Sequence, residues 1–381
     1  MKRKKRLGTF FIIVVLILSA LSLITMASLS FPQAQKEFGK SHSYLARQAL
    51  WLLIGGIGFV FTANLNYKKY KDIIKYLYIL GAFTLVMVLL IGRTSKGATR
   101  WISIGGFAFQ PSEFVKIILI ITLATFVYNL KYATKRDKVK TLPWLSSISI
   151  LGLTGIYAGL IIAEKSFSNT AQIAIIGFTY LLVSEIKFSV IGFYAILTGI
   201  AGWFSVMKVG YRASRIAAHT SKNIGFQTSQ SLIAIANGRL TGKFYGNGLQ
   251  KYGFLPEIHT DYIFSGYAEE NGFLGVVFLL GLYAALLVII GVALKKIKDL
   301  YAKYLLAGIF MIIATQVIGN VAVASQLIPS TGIPLPMMSY GGSTMIAVMM
   351  MLGVVYNIIR ALYKQEMGSK LDELNEIDYM M

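Results

Sequence analysis

Not one cysteine occurs in the 381 residues, so the chain has no disulfide, no thiolate metal site and no thiol nucleophile. Charge is scarce as well. Asp, Glu, Lys and Arg together make up 14% of the sequence, against about 25% in an ordinary soluble domain. Hydrophobic residues make up 56%, more apolar surface than one water-soluble core could hide, which excludes a soluble globular protein. Acids are the scarcer charge, 16 against 37 bases for a net of +21. That excess does not mark a nucleic-acid binder, because the Lys and Arg residues stand in short clusters between apolar runs and not in a basic groove interleaved with aromatics. Flanking clusters of this kind are what anionic lipid and membrane topology demand.

What is present is a series of apolar runs, each near the roughly 20 residues a membrane helix needs. They lie at 8–30, 46–64, 74–92, 112–130, 144–163, 169–186, 188–207, 270–294, 303–327 and 340–362. The expected fold is therefore all-α, a polytopic membrane protein of about ten spans. The first run follows the basic segment Lys2–Arg6 and extends from Leu7 to Ser30, longer than the about 7–15 apolar residues of a cleavable signal; it reads as a retained span. Basic clusters at Lys68–Lys75, Lys131–Lys140, Lys187, Lys295–Lys303 and Arg360–Lys370 place those segments and both termini in the cytoplasm. Residues 1–381 then form one membrane domain, 208–270 a large extracytoplasmic loop, and 364–381 a flexible cytoplasmic tail. A loop of about sixty residues is too long for a mere connection, and chemistry concentrates in such loops.

Few carboxylates reach the outer side: Glu37, Glu113, Glu164, Glu257, Asp261, Glu269 and Glu270. The segment Phe254–Phe264 holds the most informative of them. Pro256 suits the first turn of a helix, which would put Glu257 and Asp261 on one face, four residues apart, with His259 turned away. Asp261 would sit where the chain re-enters the membrane, either as a partly desolvated base or as a cap paired with a loop Arg. The same loop carries Arg212, Arg215, Arg239, Lys243 and Lys251 with Gly238, Gly242, Gly246 and Gly248, a composition that serves equally to cradle a phosphate or to keep a loop soluble. Glu113 and Lys116 are spaced to pair at the start of a span, since an unpaired ion in the bilayer is costly. Trp101 suits an interfacial belt or a sugar ring. Pro329–Ser343, with three prolines and the pair Gly341-Gly342, reads as a rigid wall beside a groove or as a simple turn. Arg47, at the outer start of a span, reads as a partner for a lipid phosphate or as a snorkelling cation.

Four ordered motifs resemble one family. Gly97–Lys116 (GATRWISIGGFAFQPSEFVK), Gln230–Ile235 (QSLIAI), Gly246–Phe264 (GNGLQKYGFLPEIHTDYIF) and Thr331–Ser343 (TGIPLPMMSYGGS) are similar to the SEDS proteins, the peptidoglycan glycosyltransferases of FtsW, RodA and SpoVE type. With the ten-run layout they cover nearly the whole chain, and the segment Gly246–Lys251 leans to the FtsW-like division or sporulation branch. The resemblance implies an enzyme of the bacterial cytoplasmic (inner) membrane that polymerises lipid II outside the membrane, releasing undecaprenyl pyrophosphate. It would work beside a class B penicillin-binding protein among membrane lipids. It implies Asp261 as catalytic base and matches Arg100, Trp101, Glu257 and His259 to motifs on the substrate side and Glu113 and Lys116 to a supporting motif, with Ser339, Gly341 and Gly342 in the last motif as further supporting residues. The basic residues Arg47, Arg100, Arg212, Arg215 and Lys243 are the cationic candidates for the departing pyrophosphate. Mg²⁺ or another divalent cation is expected to bridge phosphate oxygens, with no ligands assigned. Where the family has an aspartate in a P-D-L-G-T-A-like turn, Ser166 or its neighbour stands here, with Glu164 the acid left nearby. The alternatives are a flippase for a lipid-linked sugar and a non-catalytic scaffold of the cell-wall machinery.

Overall fold

A computed structural model describes residues 2–95, 98–104, 107–137, 143–184 and 225–380, with the isolated positions 189 and 192. Helix α1 spans Lys2–Leu29, α2 Phe31–Phe38, α3 Ser43–Asn64 and α4 Tyr70–Ile91. Three short strands follow, β1 Arg93–Ser95, β2 Ala98–Ile104 and β3 Phe107–Phe109, antiparallel in the order β1-β2-β3 with Arg93 opposite Trp101 and Ile102 opposite Phe109. Then come α5 Pro111–Asp137, α6 Pro143–Ala163, α7 Phe167–Val183, α8 Phe226–Gly238, α9 Ile263–Lys296, α10 Leu300–Ala324 and α11 Gly342–Met380.

Among the described residues, eight helices are long and apolar enough to cross a membrane, and α7 is a shorter apolar helix. These match nine of the ten expected runs; the run 188–207 lies outside the described residues apart from positions 189 and 192. Helices α3 and α4 turn large apolar side chains outward, Leu53 and Ile57 at 65% exposure and Leu90 at 73%. A face of that kind is stable only against lipid. Helix α10 is buried around most of its circumference and packs on α5, α7 and α9, so the core lies around it.

Two expected boundaries shift. The large loop ends at Tyr262 and not at 270, because α9 starts at Ile263 and takes Glu269 and Glu270 into its buried first turns. At the other end α11 continues to Met380, where a flexible tail is expected. Past Gly368 the sequence holds neither Gly nor Pro, and its leucines and isoleucine at 371, 374 and 377 keep a helical spacing.

Helix α9 is interrupted at Gly272, whose φ of 64° and ψ of −167° belong to a region that only glycine occupies readily. Three of the freed groups find partners in the preceding loop. Phe273 N–H donates to Arg239 O (2.9 Å), Leu274 N–H to Leu240 O (3.1 Å), and Lys243 N–H to Glu269 O (3.0 Å). The approach is close: a Cβ on Gly272 would lie 2.2 Å from Gly242 N, and one on Gly238 2.1 Å from Ala268 O. Two of the loop glycines expected to cradle a phosphate thus serve to seat the loop against the broken helix.

Candidate active site

The segment Pro256–Tyr262 is not the helix start expected from its sequence. It is a run of turns in which Glu257 takes a left-handed φ of 61°. Glu257 O accepts from the N–H groups of Thr260 (3.1 Å) and Tyr262 (3.2 Å), and the Thr260 hydroxyl donates to Glu257 Oε2 (2.8 Å). Tertiary bonds hold this shape against helix propensity. The three consecutive backbone carbonyls at 259–261 are each taken by a different donor: His259 O by Tyr340 N–H (2.9 Å), Thr260 O by Ser339 Oγ (2.7 Å) and Asp261 O by Asn320 Nδ2 (2.9 Å). Asn320 Nδ2 also reaches Ile333 O (2.8 Å), and Ser339 Oγ accepts from Leu335 N–H (2.8 Å). One clamp therefore ties α10 and the proline-rich segment to the backbone on both sides of Asp261.

The Asp261 side chain is half-buried and faces Gly332, on which a Cβ would stand 3.2 Å from Oδ2. Gly332 itself has a φ of 71°, so a larger residue there would meet both strain and the carboxylate. Ser339 is buried within the clamp. Gly342 accommodates the Trp51 ring, which a Cβ would approach to 2.6 Å, while Gly341 lies beside Thr344. Pro329–Ser343 thus packs tightly beside the Asp261 segment through Gly332, Ser339 and Tyr340.

His259 points inward and is buried, in contrast to the expectation that it turns away. Its ring stacks obliquely on Tyr44 (centroids 4.7 Å) and Tyr340 (5.8 Å). The Tyr44 hydroxyl donates to the Glu37 carboxylate. Burial alone would raise the Glu37 carboxyl, but hydrogen bonds from Tyr44 and Gln33 and the nearby His259 bring it below the usual range. One turn beyond Tyr44, Arg47 is exposed, its guanidinium 4.5 Å above the Phe38 ring. The structure thus joins Asp261, Glu257, His259 and Ser339 at one end of the helices, with Arg47 on the adjoining rim.

The remaining expected residues go elsewhere. Lys116 is wholly buried and pairs with Glu113 at 2.8 Å, donating also to Gln172 Oε1 (2.9 Å) and Asn169 Oδ1 (3.4 Å). Gln316 of α10 donates to the same Gln172 oxygen (3.1 Å), so the pair locks α5, α7 and α10 together. Lys243 lies 3.7 Å from buried Glu269, whose carboxylate also accepts from the N–H groups of Leu249 and Gln250 (3.1 Å each). Glu270 accepts from Lys251 Nζ (2.8 Å) and Ser28 Oγ (2.6 Å). Both acids thus staple the loop preceding α9 to α9 and α1. Arg212 and Arg215 lie outside the described residues. Sequence reasoning missed Asn320, Gly332, Tyr340 and Tyr44; the lone Asn within the apolar run 303–327 was the legible signal, since an intramembrane polar side chain is a functional candidate by default.

Arg100 and Trp101 stand on β2, and Arg100 Nη2 donates to Lys165 O (2.6 Å). Beside this contact, in the turn between α6 and α7, Glu164 is fully buried and neither carboxylate oxygen accepts a hydrogen bond among the described residues. Burial pushes its carboxyl up to about 8, with Arg100 opposing. The folded carboxyl therefore keeps its proton to about pH 8 while the unfolded one releases it near 4.5. Between those values the folded state binds more protons, so stability falls as pH rises through the window and levels off above it. Glu164→Gln is expected to flatten this decline in thermal unfolding in detergent, raising the melting temperature at pH 8 more than at pH 5.

Comparison with known proteins is consistent along the chain. The family model for FtsW, RodA and SpoVE, described as cell cycle protein, matches residues 8–364. Stage V sporulation protein E of Bacillus subtilis is 34% identical over 359 residues, covering 92% of this chain and 96% of its own. The probable peptidoglycan glycosyltransferase FtsW of Coxiella burnetii is 32% identical over 360 residues, covering 91% and 94%. Among solved structures, a chain from work on the coordination of polymerization and crosslinking by a peptidoglycan synthase complex superposes with a TM-score of 0.74 at 25% identity, covering 93% of this chain and 97% of that one. Thermus thermophilus rod shape determining protein RodA superposes at 0.68 with 25% identity, covering 93% and 96%.

Proposed function

The chain belongs to the FtsW, RodA and SpoVE family of cell cycle proteins, and from that premise we propose that this multi-pass membrane protein is a peptidoglycan glycosyltransferase that polymerises lipid II, with Asp261 as its general base. The observation that carries the assignment of the base is the clamp on three consecutive carbonyls, which holds a half-buried carboxylate in one place at the rim. Positioning of that order is what general-base catalysis requires.

In this reading the acceptor GlcNAc 4-hydroxyl attacks C1 of the donor MurNAc. Asp261 takes the hydroxyl proton, the new C1–O bond forms on the face opposite the leaving group, and the bond from C1 to the pyrophosphate oxygen breaks. Undecaprenyl pyrophosphate departs and the linkage inverts from α to β. The greater electrostatic demand is the departing pyrophosphate. Arg47 at the rim is the described cation best placed to meet it, with Arg100, Arg212 and Arg215 as further candidates; Lys243 is already engaged by Glu269. A divalent cation, if present, would screen the charge of the phosphate oxygens. Among the described residues no three His, Asp or Glu side chains converge to hold one.

The enzyme belongs in the bacterial cytoplasmic membrane with the Asp261 end outside, because basic clusters gather at the opposite helix ends. A class B penicillin-binding protein is the fitting partner, consistent with the related chain drawn from a synthase complex. A flippase would need a polar route through the bundle, whereas fully buried Lys116 is held in place by Glu113, Gln172 and Asn169. Purified chain incubated with lipid II and a cognate transpeptidase is expected to yield glycan polymer on gels. Label crossing a vesicle wall with no polymer formed would favour transport instead.

A further inference from the structure

The described part of the chain also holds a concavity well away from Asp261. A cavity of about 830 Å³ opens at the other end of the bundle, lined by Lys68, Lys71, Lys298, Arg360 and Lys364 around one acid, Asp299. Helix α3 relates the two ends: Tyr44 touches His259 while Asn64 lines the cavity, twenty residues on and so about 30 Å away at the helical rise.

The single carboxylate is committed. Asp299 Oδ1 caps α10 by accepting from the N–H groups of Tyr301 (2.9 Å) and Ala302 (3.3 Å). Its Oδ2 accepts from the Tyr67 hydroxyl (3.0 Å) and lies 3.7 Å from Lys68 Nζ. Half-buried Lys71 stands over two aromatic faces instead, Tyr128 at 3.4 Å and Tyr301 at 4.5 Å. Such faces hold a cation without neutralising it. Arg360 Nη1 donates to Asn64 Oδ1 (2.9 Å), an uncharged partner. The wall between them is firm, since Asn357 Nδ2 binds the carbonyls of Thr62 (3.2 Å), Ala63 (2.9 Å) and Leu65 (2.6 Å) at the end of α3.

Membrane topology asks for Lys and Arg on this side, but exposed Lys69, Lys75, Lys295 and Lys296 already supply that outside the cavity. Topology does not ask five cations to converge on one concave site. We propose that this cavity binds a phosphate-bearing anion. Basic pockets between spans on this side of a membrane suit phosphorylated lipid head groups, and the volume exceeds what a bare phosphate fills. The site is separate from the glycosyl-transfer reading and stands if that reading fails.

The test uses the full chain purified in neutral detergent, with short-chain phosphatidylglycerol, short-chain phosphatidylcholine and inorganic pyrophosphate as probes in a direct binding titration. Phosphatidylglycerol is expected to bind well above phosphatidylcholine. The triple variant Lys71→Gln, Lys298→Gln, Arg360→Gln is expected to weaken it on the order of a hundredfold, at about fivefold per cation. The equal charge change Lys69→Gln, Lys75→Gln, Lys295→Gln is expected to leave it within about threefold, because salt screens surface charges that lie outside the cavity. Should the first triple not fold, the exposed residues carry the test, Lys298→Gln and Lys364→Gln each costing about fivefold. Pyrophosphate that binds with the same variant dependence marks a soluble phosphate ligand; pyrophosphate that neither binds nor competes marks a lipid head group. The proposal is overturned if the two triples weaken binding alike or if neither does.

Discussion

Asp261→Ala is expected to lower lipid II polymerisation by about 10²–10⁴-fold, the range that general-base help contributes. The change removes the carboxylate that faces Gly332 and leaves the clamp in place, because Tyr340, Ser339 and Asn320 bind backbone carbonyls and not the side chain. Folding and partner binding should therefore persist while chemistry stops. Asp261→Asn is the sharper variant, since it keeps the shape and deletes only the basic oxygen. The measurement is initial rate of glycan chain formation at saturating lipid II, with thermal unfolding as the control for structure. Polymerisation by the Asn variant within about threefold of the parent, against the roughly 10² minimum expected of a base, would remove Asp261 from the mechanism. Loss of folding in both variants would instead recast it as structural.

Lys116→Met is expected to be the most destabilising of the single changes considered for the buried network, by about 3–5 kcal/mol, the cost of breaking a buried ion pair from one side. Lys116 is 0% and Glu113 3% exposed. Once the ammonium is gone, Glu113 remains in a nearly solvent-free site, Asn169 Oδ1 loses its Lys116 donor, and Gln172 Oε1 is left with Gln316 alone. Adding Glu113→Gln should restore much of the loss, because removing both charges avoids stranding either one. Unfolding free energy in mixed micelles, measured for both singles and the double, tests this. Additive losses in the double would mean that the two charges do not stabilise one another.

The site was partly legible in the sequence, and the limits have physical causes. Asp261 stands out because carboxylates are few on the side expected to face outward and one that borders an apolar run is conspicuous. The pairing of Glu113 with Lys116 follows from three-residue spacing at the start of a helix, and the structure has it at 2.8 Å. Local spacing failed at Glu257–Asp261, where helix geometry was assumed. Whether that backbone coils depends on donors at 320, 339 and 340, which no local window contains. Lys243 looked like a phosphate ligand for the same reason, as its partner Glu269 was read as part of the loop.

The sequence by itself determined which segments are able to span a bilayer and which residue types are available for chemistry. Lipid cannot satisfy a bare peptide group, so long apolar runs must become helices wherever they occur, and hydropathy alone reveals them. Tertiary structure decided how the acids and bases were shared out. Contacts such as Ser28 with Glu270, 242 positions apart, tie Glu269, Glu270 and Lys116 into supports while Asp261 faces a glycine at the rim. The same long-range packing gathered the basic cavity around Asp299. Burial and pairing depend on which helices become neighbours, and that is settled only when the whole bundle closes.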